Sequence, residues 1–109
     1  MIGTHRLHKP MRTCLDRLIA QPRLEGPRVR DEYEFIANRL EQCRHEGIIS
    51  NDAFLDSGVI QGALEMIANH IDMGVPQKEA QLLIRQQISR AEKLEEKHPG
   101  LDKAVESGR

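Results

Sequence analysis

The chain has 109 residues and a net charge of −1, enough for one domain and too few for two. At this size roughly two-thirds of the unfolded surface can be buried, so the core is thin. Only Tyr33, Phe35 and Phe54 are aromatic, which leaves aliphatic side chains and the four Met to fill it. No stretch approaches the ~20 apolar residues of a membrane span. Residues 4–10 are basic and polar, without the apolar run that export requires. Two cysteines make no disulfide framework. The expectation is a cytoplasmic protein with reduced thiols.

Helix formers are plentiful, while alternating β-branched runs and Asn-Gly hairpin signals are missing. The sequence therefore predicts an all-α fold, a small bundle of about four helices. Residues 1–9 read as a flexible basic arm, 10–98 as a single helical domain, and 99–109 as a loose tail. The first helix starts near Pro10, a good first-turn residue, and ends near Ala20, with Met11, Leu15, Leu18 and Ile19 on one face. Residues 22–27, rich in Pro and Gly, break the chain. The second helix covers Arg28 to Glu46. Val29, Tyr33, Ile36, Leu40 and Cys43 recur along it as a packing seam, acids fill its first turns, and Gly47 stops it. Ser50-Asn51-Asp52 supplies N-cap types for the third helix, with a kink or restart expected at Asp56-Ser57-Gly58. Gly74 closes that helix, and the fourth runs from Pro76 to Lys97, with Ala80, Ile84, Ile88, Ala91 and Leu94 inward. Pro99-Gly100 ends it.

The third helix has more apolar surface than a small core needs. At about 100° per residue, Ile60, Leu64, Ile67 and Ile71 share one stripe. Val59, Gly62, Met66 and Met73, joined by Leu55, share a second. One stripe closes the core; the other needs a neighbour. Leu55, Val59, Gly62, Met66, His70 and Met73 are the candidate partner-binding residues, His70 at the rim. Gly58 and Gly62, four apart, allow close approach of another backbone. That backbone belongs either to a partner or to a helix of the same chain.

Charge is unevenly spread. Residues 1–30 carry seven Lys/Arg against Asp16 and Glu25, while residues 31–76 carry nine acids against Arg39 and Arg44. The arm (Arg6, Lys9, Arg12 and Arg17, with His5 and His8) is either a contact for nucleic acid or an acidic protein, or a solubilising terminus. Residues 50–67 have roughly the offsets of a helix-turn-helix, but the would-be reading helix Ile60–Met66 lacks Arg, Lys and Asn for bases and phosphates. An acidic segment also repels DNA.

His5, His8, His45, His70 and His98 show no zinc-site spacing, so no metal and no cofactor are expected. Cys14 and Cys43 lie on apolar faces as structural thiols. Neither a G-x-S-x-G elbow nor a phosphate-binding glycine loop is present, so the chain does not read as an enzyme.

In length, in helix order, in the run Asp31-Glu32-Tyr33-Glu34-Phe35-Ile36-Ala37-Asn38-Arg39-Leu40 and in the apolar helix Val59–Met73, the sequence resembles the QslA-like antiactivators of quorum sensing. The resemblance implies a small helical inhibitor that binds the ligand-binding domain of a LuxR-type transcriptional activator. The inhibitor occupies the activator's dimerisation surface and so prevents DNA binding. It implies no direct specific DNA binding by the inhibitor itself. The excess stripe, for its part, points to a homodimer when no partner is present. The alternatives are a nucleic-acid-associated regulator using the basic arm, or another small helical adaptor such as a phage inhibitor or a chaperone.

Overall fold

The computed structural model describes residues 12–107, with side chains from residue 13 onward; the arm expected at 1–9 lies outside the described residues. The described chain is all-α: α1 (Arg12–Ile19), α2 (Gly26–His45), α3 (Asn51–Asp72), α4 (Gln77–Lys97) and α5 (Leu101–Glu106).

Local chemistry sets most of these boundaries. Pro27 sits in the first turn of α2, where its missing N–H costs nothing. At the other end Gly47 adopts φ 74°. The Ile48 N–H then reaches the Cys43 carbonyl (2.8 Å) and the Gly47 N–H reaches that of Arg44 (3.1 Å). This paired 6→1 and 5→2 closure needs a left-handed residue, which glycine adopts without strain. Gly74, at φ 92°, ends α3 in the same way, with Val75 N–H bound to His70 O and Gly74 N–H to Ile71 O. Ser50 caps α3 by accepting from the Ala53 N–H at 3.0 Å. The Gln77 side chain exchanges two 2.7 Å hydrogen bonds with the backbone of Leu24, which fixes the connection between α1 and α2 against the start of α4.

Helix α2 packs on α3, α3 on α4, and α4 on α1; α5 closes over α1, α2 and α4. The centre is aliphatic: Leu15, Leu18, Leu24, Val29, Ile36, Leu40, Ile60, Leu64, Ile67 and Ile84 are all fully buried. Tyr33, Phe35 and Phe54 lie at its edge, half-buried. At the first turn of α2, Gly26 faces Asp72 and the Ala68 carbonyl of α3 so closely that a Cβ would collide with the Asp72 carboxylate.

Three expectations need correction. Met does not fill the described core, because Met66 and Met73 face outward. Helix α3 is continuous through Asp56-Ser57-Gly58, and within it the buried Ser57 hydroxyl finds its partner in the Ala53 carbonyl at 2.7 Å. The tail expected from residue 99 contains α5, with Leu101 and Val105 buried against the bundle. Pro99-Gly100 is a turn between two helices, with Gly100 at φ 93°.

Candidate protein-binding face on helix α3

Both stripes of α3 are present, and they face opposite ways. Ile60, Leu64 and Ile67 are fully buried and Ile71 is partly buried. On the other side Leu55 is 61% exposed, Val59 53%, Met66 45% and Met73 75%. Positions 55, 59, 62, 66, 69 and 73 follow an alternating four-three spacing, the spacing that lets one helix lay a continuous seam against another. Asn69 interrupts the apolar run, and its amide oxygen accepts from Arg30 at 2.7 Å.

The two glycines on this face separate the readings that their spacing left open. A Cβ built at Gly58 or at Gly62 would meet nothing within 4 Å. No described helix therefore makes a close crossing there. Each glycine costs roughly 1 kcal/mol of helix propensity relative to Ala, and no contact among the described residues offsets it. The result is a notch beside Val59 and Met66.

At its C-terminal end the face runs into a cleft of about 470 Å³ between α3 and α4, lined by His70, Met73, Gly74, Val75, Glu79 and Leu83. Half-buried His70 thus forms one wall of the cleft as well as a rim position of the stripe. Sequence reasoning missed Leu82 of α4 and Ile48 of the α2–α3 connection, which are 57% and 54% exposed. Leu82 opens the run Leu82-Leu83-Ile84 and Ile48 precedes Ile49, and in such short apolar runs periodicity does not say which residue faces outward.

Charge around the face is more balanced than the sequence blocks suggest. Arg30 of α2 pairs with Asp72 at 2.7 Å. Lys97 Nζ at the end of α4 and His98 Nε2 just beyond it each lie 2.9 Å from the Asp56 carboxylate. The hydrogen bond from His98, then that from Lys97, hold the Asp56 carboxyl below its ordinary range. Arg44 stacks over the Phe54 ring at 4.7 Å. Asp56 and Asp72 therefore take cations from neighbouring elements, and the apolar stripe runs between them.

The other motifs lie elsewhere. Unbroken α3 leaves no turn for a helix-turn-helix at residues 50–67. Among the described residues, no group of three or more His, Cys, Asp and Glu side chains is placed to hold a metal. Cys14 and Cys43 are buried, and they form no disulfide with each other. His5 and His8 and the arm's Arg6 and Lys9 lie outside the described residues. No described helix is long and apolar enough to cross a membrane. No family model, curated protein or solved structure matches the chain.

Proposed function

We propose that this protein is a non-catalytic regulatory binding protein whose α3 face docks onto a partner protein. The observation that carries this reading is the stripe Leu55, Val59, Met66 and Met73, exposed along one helix and notched at Gly62. Large apolar side chains in a contiguous patch mark contact surfaces. The partner that the sequence resemblance favours is the ligand-binding domain of a LuxR-type activator. Covering that activator's dimerisation surface blocks its DNA binding. In the partner's absence a second copy covers the stripe and gives a homodimer. The protein acts on transcription without contacting specific DNA itself.

Two substitutions test the reading. Val59→Asp and Met66→Arg place a charge where the partner's apolar surface must sit, and an unpaired buried charge costs about 3–5 kcal/mol. Both should abolish capture of the activator domain while leaving the circular dichroism melt of the free protein nearly unchanged. Ile67→Asp, inside the core, should unfold the bundle. Retention of full inhibition by Val59→Asp and Met66→Arg would sink the assignment of this face. A DNA footprint made by the purified protein alone would overturn the indirect mechanism.

A further inference from the structure

Helix α5 is six residues long, too short to remain helical in water by itself. Its place is set by contacts with three other helices. Leu101 and Val105 are buried. Asp102 accepts from the Thr13 hydroxyl at 2.7 Å and the Thr13 N–H at 3.3 Å. Arg39 of α2 donates to the Ala104 carbonyl (2.7 Å), the Val105 carbonyl (3.1 Å) and the Ser107 hydroxyl (3.2 Å). Arg17 of α1 binds Glu106 at 2.8 Å. Glu95 of α4 accepts from the Gly100 and Asp102 N–H groups.

Two further contacts come from thiols. Cys14 Sγ donates to the Glu106 carboxylate at 2.9 Å, and Cys43 Sγ to the Ala104 carbonyl at 3.6 Å. These are the chain's two cysteines. They stand on different helices, both are inaccessible to solvent, and both bond to the same six-residue helix. On its upstream side α5 hangs from Pro99-Gly100, a turn able to act as a hinge.

We propose that α5 is a latch that opens as a unit, and that its opening exposes both thiols together to low-molecular-weight disulfides such as oxidised glutathione. Once exposed, the Cys14 or Cys43 thiol loses its proton to water, and the thiolate attacks one sulfur of the disulfide. A protein–glutathione S–S bond forms, the glutathione S–S bond breaks, and the second glutathione leaves as thiolate. The glutathionyl group then occupies the space that Glu106 and Ala104 need, so the latch stays open. Helix α1 loses its contacts at Thr13 and Arg17, while the α3 face, which α5 does not cover, keeps its shape. Oxidising conditions thus destabilise the protein without altering its docking surface.

The rate of mixed-disulfide formation at each cysteine, followed by peptide mass spectrometry on the full chain with oxidised glutathione, tests the latch. Cys14 and Cys43 should become accessible at a common rate that rises only shallowly with urea, as local opening does. Arg39→Ala removes two contacts to α5 and one to Ser107. Each rate is divided by that of the same cysteine in the urea-unfolded variant, which takes out the loss of the Arg39 charge beside Cys43. Both thiols should then speed up by the same factor, roughly ten- to a hundredfold for lost charged hydrogen bonds. Arg90→Ala, which removes a bond to Gln87 within α4, should change neither. The proposal is overturned if the two thiols respond to Arg39→Ala by different factors. It is equally overturned if both follow the full urea dependence of global unfolding from the lowest concentrations, a measurement on the unaltered chain that stands even where Arg39→Ala fails to fold.

Discussion

Glycine has opposite meanings at three places in this molecule. Gly26 sits where the first turn of α2 meets the end of α3, and a methyl group there would displace the Asp72 carboxylate from its pairing with Arg30. Gly58 and Gly62 face open space. Gly26→Ala should therefore break the Arg30–Asp72 pair, a loss of at most about 1 kcal/mol for a pair so exposed. Gly58→Ala and Gly62→Ala should each stabilise the free protein by up to about 1 kcal/mol and weaken partner capture, because the added methyl fills the notch. Sequence spacing could find the Gly58/Gly62 pair but could not say which side of the helix was occupied. Asp56 gives a second residue-scale outcome. Its carboxyl titrates below the ordinary value of 3.8, first because of His98 and then because of Lys97. A carboxylate with a lowered pKa contributes stability above its ordinary value, and that contribution is lost as pH falls through the lowered value. Asp56→Asn should melt below the parent protein near neutral pH. In thermal melts across an acid series the gap should close as the pH drops below the ordinary carboxylate range.

Among the elements, the long helices were legible because each carries its own instructions. The seam from Val29 to Cys43 and the caps at Ser50, Gly47 and Gly74 are local signals, and they place α2 and α3 to within a residue or two. Helix α5 carried no such signal. Six residues after a Pro-Gly pair read as a tail, because what makes them helical is tertiary: Leu101 and Val105 in the core, and Arg39 and Arg17 holding the far end. Leu101→Ala should accordingly cost roughly 2–5 kcal/mol in chemical denaturation, the range for a buried leucine. A change of a few tenths would mean that the segment behaves as the tail its sequence suggested. The break expected near Gly58 does not occur, because Ala53, Ser57 and Ile60 on either side of it are buried together along one face of α3. The Ser57 side chain is spent on the Ala53 carbonyl, and the helix passes through.

At the scale of the whole molecule, the division of α3 into a buried and an exposed stripe was readable because both keep helical spacing, the buried one from Ile60 to Ile71 and the exposed one from Leu55 to Met73. The neutralisation of its flanking acids was not. Arg30 and Lys97 lie far away in sequence, and only the packing of α2 and α4 brings them to Asp72 and Asp56. The surface that results is apolar along its centre, with the Asp56 and Asp72 carboxylates paired at its edges. Such a surface should self-associate at micromolar concentration and bind a hydrophobic dye, with little dependence on salt. Light scattering is expected to give more than the mass of one chain. Val59→Asp should return it to a monomer while the fold is retained. A monomeric parent protein with no dye binding would show that the stripe tolerates water.

The seat of α1 has a consequence for the order of events during synthesis. Thr13 bonds to Asp102, 89 residues further along the chain, and Arg17 to Glu106 at the same separation. The main body of contact for α1 is α4, also made late. A ribosome adding roughly 5–20 residues per second therefore holds α1 without a docking site for several seconds, while α2 and α3 already have each other. In that interval Leu15 and Leu18, later fully buried, are open to chaperones and to other nascent chains. Of the five described helices, the earliest made is among the last to be enclosed.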